Sequence, residues 1–359
     1  MTAVTSPAPD AGTAAGGADK GVARRIATIV IVVLVLAGPA IVASVAWSPD
    51  AASPVILGGM VGAISAVSAG RRIAMIEVFL LLLATPLAVV SGQVPVAGAA
   101  LMALLCLGAG LTAMWGLHGS FKMIPLVLAY PMIHPPELGD IAIDRNSSSY
   151  VATLSLLFFI GALWMALIIP VLAKHRPLPE LQPAARVDTL TYTTVITVLC
   201  SVDTFIVLTL SPSSQGAWLI LTLIAVTQLG PLKTVRRTAY RLGGTIAGAL
   251  IAAGIAWVVP GEGAQLALAL ACLMTAMFFR GGGSYWLYVS FMTPSVVLLS
   301  STGNVTATSE YRVLYTVIGA SQVLLASAMA LGYQHLRSSG RAQATELKAQ
   351  PLAADTVAE

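Results

Sequence analysis

Long apolar runs alternate with short polar breaks along almost the whole chain. Most runs approach the roughly 20 residues that a helix needs to cross a hydrocarbon core of about 30 Å. The pattern predicts twelve spans, at about residues 26–46, 54–70, 73–91, 94–117, 121–133, 150–173, 190–210, 216–230, 242–260, 264–280, 284–300 and 312–335. The second, fifth and eighth are short for a full crossing. Such segments run with little tilt, re-enter, or break, in the fifth at Pro125 and Pro131. Broken helix at that depth needs cover from protein or a water-lined cavity. The expected fold is an all-α polytopic membrane protein of about 12 transmembrane helices.

Composition agrees. Of 359 residues, 57% are apolar and 9% charged, against about 25% charged in soluble domains. The net charge of +4 does not indicate nucleic-acid binding, because the basic residues sit between apolar spans and form no separate domain. With the N-terminus in the cytoplasm and alternating crossings, every Lys and Arg except Arg145 and Arg312 falls on the cytoplasmic side. The outer loops collect Asp50, Glu137, Asp140, Asp144, Glu262 and Glu310. This positive-inside pattern favours an even span count, with both termini cytoplasmic. Residues 1–20, rich in Ala, Gly, Thr and Pro, read as a disordered tail, as does 337–359. The run 26–46 is longer than the usual 7–15 residues of a signal-peptide core, and reads as a retained span.

Landmarks recur. Arg71-Arg72 after the second span matches Arg236-Arg237 after the eighth, and Gly119-Ser120-Phe121 before the fifth matches Gly283-Ser284-Tyr285 before the eleventh. Pro131 and Pro294 fall at similar depths in those two spans. The expected organisation is two parallel six-helix repeats, 21–173 and 190–336, joined by a Pro-rich cytoplasmic linker, 174–189. Parallel repeats with a site at their interface are a common transporter plan.

Signatures of other chemistry are missing. No Walker A, GxSxG or GxGxxG motif occurs, which argues against an ATPase or hydrolase. Cys106, Cys200 and Cys272 lie in apolar runs and read as small packing residues. His118, His134, His175 and His335 are scattered and suggest no metal site. No cofactor is expected.

Asp203 is the most informative residue. It lies about three residues from the middle of the seventh span, where a carboxylate costs on the order of 2.5–3.5 kcal/mol. Thr193, Thr197, Cys200, Ser201 and Thr204 form a stripe beside it at helical spacing. That face should look into the bundle or a watery cavity. Asp203 is either a proton-carrying or substrate-facing carboxylate, or a structural one bonded to a neighbouring helix. Glu77, about a turn from Arg71 and Arg72, reads first as a snorkelling or ion-paired interfacial residue, and second as another proton site. The loop from Pro231 to Arg237 leads to Arg241. Its basic residues orient the chain or form a vestibule that concentrates anions. Gly58/Gly62 and Gly244/Gly248 are GxxxG pairs, read as helix packing. Tyr285, Trp286, Tyr288 and Phe291 precede Thr293-Pro294. They form an interfacial belt, or a stacking wall for an aromatic ligand. The sequons at Asn146 and Asn304 carry no conclusion.

Trp218, Gln228, Thr234, Arg237 and the stretch Arg241-Leu242-Gly243-Gly244-Thr245 with Gly248 resemble the arginine-and-glycine core of the fusaric acid resistance family of aromatic acid exporters. Tyr285 through Thr293-Pro294, and Arg312 with Gly319, resemble its following helices. The resemblance spans about residues 190–335. The first half is similar only through Gly62, Arg71 and Arg72. The resemblance implies an inner-membrane exporter of aromatic carboxylic acids, working in Gram-negative members with a periplasmic adaptor of the membrane-fusion type. This chain lacks the sizeable cytoplasmic domain of the larger members. The expected function is proton-coupled secondary export of organic acids. Asp203, Glu77, Gln228, Arg237, Arg241, Tyr285 and Thr293 are the candidates for proton coupling or substrate contact. Expected partners are the organic acid, membrane lipid, the adaptor and a second copy of the chain. Rival readings are a passive anion channel and a non-transporting scaffold. A major-facilitator protein is less favoured, because Gly70-Arg71-Arg72 lacks the fuller Asp-Arg signature.

Overall fold

The structure, a computed structural model, describes residue 35 and residues 37–138, 147–172, 178–210, 214–259, 261–282, 284–300 and 305–354. The start of the first predicted span, the N-terminal tail, Asp140, Asp144, Arg145, and the sequon residues Asn146 and Asn304 lie outside them. Thirteen helices occur among the described residues: α1 Ala37–Ala46, α2 Ala52–Ser68, α3 Arg71–Ser91, α4 Pro95–Leu111, the single turn α5 His118–Phe121, α6 Met123–Ile133, α7 Ser148–Leu172, α8 Arg186–Leu210, α9 Ala217–Val226, α10 Pro231–Val258, α11 Glu262–Gly282, α12 Tyr285–Ser300 and α13 Val305–Ala354. There is no strand among these residues. Each predicted span falls on a helix, α5 and α6 sharing the fifth.

Six helical stretches are long and apolar enough to cross a membrane: α3, α4 with its 3-10 extension to Trp115, α7, α8, α10 and residues 305–332 of α13. Large apolar side chains point outward, as with Leu83 and Leu87 on α3, Leu250 on α10 and Leu325 on α13. Polar ones point inward, among them Glu77, Asp203, Arg241 and Arg312. Such an inside-out distribution suits lipid, which welcomes apolar surface and penalises charge. The chain is a multi-pass membrane protein.

Several boundaries differ from the sequence pattern. Residues 231–241 form the first turns of α10, not a loop. Pro231 suits a first helical position, where its missing N–H has no intrahelical partner to lose. Gly230 supplies the positive φ of 94° that turns the chain into the helix, as Gly70, at 86°, does before α3. The fifth span breaks at Lys122, between α5 and α6. Pro125 sits in the first turn of α6, where proline is tolerated, and the helix continues past Pro131. Residues 337–354 continue α13 where the pattern predicts a disordered tail. That stretch is rich in Ala, Arg, Gln, Glu, Lys and Leu, all good helix formers. Residues 178–185 are irregular but held: Ala184 N–H donates to the Ala113 carbonyl at 3.0 Å, and Leu178 packs on Gly70.

Close packing rests on glycine. On α2, Gly58 and Gly62 lie directly against the α7 backbone at Phe158 and Ala162, and Gly161 of α7 lies against Val55. Gly244 and Gly248 of α10 face Val289, Ser290 and Thr293 of α12. Without a Cβ, backbones approach near enough for dispersion contacts along their length. α4 and α8 form the main seam between earlier and later helices. There Gly110 admits Thr193, Gly98 admits Leu208, and Ser201 Oγ donates to the Ala99 carbonyl at 3.0 Å.

Candidate functional site

Four groups of polar side chains occupy the interior. The first is on α8. Its polar stripe turns inward, with Thr193, Cys200, Asp203 and Thr204 all buried. Gln322 Nε2 of α13 donates to Asp203 Oδ1 at 2.9 Å. Asp203 Oδ2 has no partner.

The second group surrounds Glu77 on α3. This residue neither snorkels nor pairs with Arg71 and Arg72. It is fully buried while both arginines are exposed. The register of α3 decides this: Ala74, Glu77, Val78 and Leu81 share its inward face. Ser65 Oγ of α2 donates to Glu77 Oε2, Ser120 of α5 lies beside the carboxyl, and Oε1 has no partner.

The third group gathers at the end of α9. α9 has ten residues, so it rises only about 15 Å. Its last carbonyls need partners, and cations suit that negative end of the helix dipole. Arg237 of α10 donates from Nε to the Ala225 carbonyl at 2.9 Å. Gln228 Nε2 donates to the Thr227 carbonyl at 2.8 Å. Thr234 Oγ1 accepts from the Gln228 N–H at 3.0 Å. The Arg237 guanidinium lies over the Tyr285 ring, 4.0 Å from its centroid. Buried Lys122 faces Arg237 within electrostatic reach. His118 packs its ring edge on Tyr192. Lys122 lies within electrostatic reach of His118.

The fourth group is deeper along α10. Thr234, Thr238, Arg241 and Thr245 form its buried polar stripe. Arg241 faces Arg312 of α13 within electrostatic reach, and the Arg312 guanidinium lies 4.0 Å over the Trp218 ring. Arg241 Nε, one terminal nitrogen of Arg312, and the hydroxyls of Thr245, Thr293 and Ser309 are buried without partners.

These charges are arranged in an uncommon way. Buried charges are normally paired with opposite ones. Here, among the described residues, the buried Lys122, Arg241 and Arg312 and the half-buried Arg237 form no ion pair, and they approach one another in twos. The buried carboxylates have neutral partners, Gln322 for Asp203 and serines for Glu77. Cations without counter-ions, beside aromatic rings and unpartnered hydroxyls, suit an organic anion. Carboxylates without cations suit a proton.

The seven candidates read from sequence therefore do not form one cluster. Arg237, Gln228 and Tyr285 meet at the end of α9. Arg241 and Thr293 belong to the deeper α10 and α12 seam. Asp203 sits against α13, and Glu77 contacts α2 and α5. Lys122, Arg312, Trp218 and Gln322 join them. Arg312 had a signal, since it departs from the positive-inside pattern. Lys122 looked like a loop charge, and Gln322 is one amide in an apolar run.

A helical bundle that hides polar and charged side chains from lipid is the architecture of a multi-pass membrane protein. Residues 199–326 match the family model described as fusaric acid resistance protein-like. That bears out the resemblance for this stretch and points to a membrane transport role. It covers α8 from Leu199, α9–α12 and α13 as far as Ala326, and so includes Asp203, Arg241 and Arg312. No curated protein and no solved structure matches the chain.

Proposed function

We propose that this chain is a secondary exporter of organic acids, aromatic ones among them, driven by proton exchange at Asp203. On this reading twelve helices cross the inner membrane as two parallel six-helix repeats, with both termini in the cytoplasm. The observation that carries it is the segregation of charge: Arg241 faces Arg312 and Lys122 faces Arg237, while Asp203 is held by an amide. Leaving like charges together without counter-ions is costly, and an anionic cargo offsets that cost. Arg237 with Tyr285, and Arg312 with Trp218, each offer a carboxylate a cation beside an aromatic face. A periplasmic adaptor would carry the acid onward.

The test uses export of an aromatic carboxylate in energised vesicles. Arg241→Gln is expected to slow export about tenfold or more, the loss of one charged hydrogen bond. Asp203→Asn is expected to abolish its dependence on the proton gradient. If Asp203→Asn transports with unchanged rate and pH dependence, the role given to Asp203 is wrong. Unitary anion currents in a planar bilayer, insensitive to the gradient, would replace the exporter with a passive channel.

A further inference from the structure

Threonine inside a helix commonly returns its hydroxyl to the carbonyl four residues back. Thr85, Thr191, Thr238, Thr275 and Thr316 do so here. On α8 the habit breaks. The hydroxyls of Thr189, Thr193, Thr197 and Thr204 are buried without a partner, as are the Tyr192 hydroxyl and Asp203 Oδ2. Thr191 lies between two of these threonines and bonds normally, so the α8 backbone does not prevent it. The unpartnered groups follow one another from the start of α8 to Asp203, over about 20 Å at 1.5 Å per residue. Cys200 lies between Thr197 and Asp203.

A small cleft lies at the lower end of this column, lined by Asp188, Tyr192, Thr227, Gln228, Thr234 and Ser327. Tyr192 belongs to both cleft and column. Above it the column is narrow: a Cβ on Gly110 of α4 would come within 2.5 Å of Thr193 Oγ1. That close packing leaves no room for an organic acid. Buried polar groups of this kind are satisfied by ordered water making two to four hydrogen bonds. The other groups facing the column are Cys106 of α4, near Cys200 and Tyr192, His118 of α5 with Lys122 behind it, and Gln322 of α13.

We propose that this face of α8 is a water-filled proton path, leading from the cleft at the start of α8 to Asp203 and opening on the cytoplasmic side only. It rests on Asp203 as the proton site. The path is separate from the anion route through the arginines. A proton received from outside leaves Asp203 Oδ2 along the water file, while the acid leaves by the other way.

Silver ion, small enough for a water file and reactive with thiols, tests this without any transport measurement. Thr193→Cys, Thr197→Cys and, as a lipid-facing control, Val198→Cys are made in a chain with its three cysteines replaced by alanine. Silver is added to inside-out or right-side-out vesicles, and thiols still free are counted by mass spectrometry after denaturation and maleimide. The expected result is blocking at 193 and 197 at least about tenfold faster from the cytoplasmic face than from the outer face, with Val198→Cys unreacted from either. Equal slow reaction at 197 and 198, or faster reaction from outside, overturns the path. Thr197→Val is a second arm, close to isosteric. It should slow deuterium exchange of the Asp203 carboxyl, seen by infrared as the band lost in Asp203→Asn. Unchanged exchange also overturns the path. If Asp203→Asn exports normally while 197 is silver-accessible, the water path stands and the proton-coupling role fails.

Discussion

Gly248→Ala should separate packing from helix propensity within one helix. A methyl at Gly248 would lie 2.6 Å from Thr293 Cβ, 2.7 Å from the Ser290 carbonyl oxygen and 3.0 Å from Pro294 Cδ. Carbon atoms meet comfortably at about 3.5–4.0 Å, so α12 must retreat by about 1 Å. Neither a backbone carbonyl nor a proline ring can rotate aside. Overpacking of this kind costs about 1–3 kcal/mol, and alanine in place of glycine within a helix returns about 0.5–1 kcal/mol. The net expectation is a loss of up to about 2.5 kcal/mol. Gly254 is on the same helix, and a methyl there would meet nothing within 4 Å, so Gly254→Ala should show only the gain. The two variants are compared with the parent by thermal unfolding in detergent micelles, following loss of the monodisperse species. The midpoint should fall for Gly248→Ala and hold or rise for Gly254→Ala. Propensity alone predicts a rise in both. Equal midpoints for the two variants would refute the α10–α12 seam as described. Export should fall in Gly248→Ala as well, because the same movement carries Thr293 and Tyr285 away from α10.

Two further outcomes test individual contacts. Trp218→Leu removes the ring beneath the Arg312 guanidinium and should lower stability by about 1–2 kcal/mol. Trp218→Phe should recover most of that, and the Leu and Phe variants should become equal once Arg312→Gln is added; a difference that survives Arg312→Gln has another cause. Gln322→Leu removes the donor to Asp203 and should cost about 0.6–2 kcal/mol, the range for hydrogen bonds between membrane helices. Thermal unfolding in the same micelles reads the loss, and a variant as stable as the parent would show that this bond does not hold α13 to α8.

The helices were legible because lipid writes a coarse rule: a run of some 20 apolar residues needs no partner to be recognised. Asp203 stood out for the same reason, as a charge where none is cheap. The start of α10 was not legible, because Lys233, Arg236 and Arg237 look like a loop when charge is read as surface. They lie on a helix whose opposite face buries Thr234 and Thr238. Glu77 was misjudged through its neighbours. Arg71 and Arg72 are close in sequence, but one helical turn directs them outward and Glu77 inward. Which polar side chains meet, as Gln322 meets Asp203 across 119 positions, depends on helix pairing that apolar runs do not encode.

The brevity of α9 bears on how the protein is made. Ten residues are too few to partition into a bilayer as an independent span. The next residues, with Lys233, Arg236 and Arg237, resist insertion in their turn. During synthesis α9 therefore has to enter as a hairpin with α10. Its principal neighbour, α13, leaves the ribosome after α10, α11 and α12. Until then the main helix neighbours of α9 are α6, α8 and α10. A nascent chain stopped before α13 should expose α9 to the quality-control proteases of the membrane, so the assembly of this region waits on a helix made well after it.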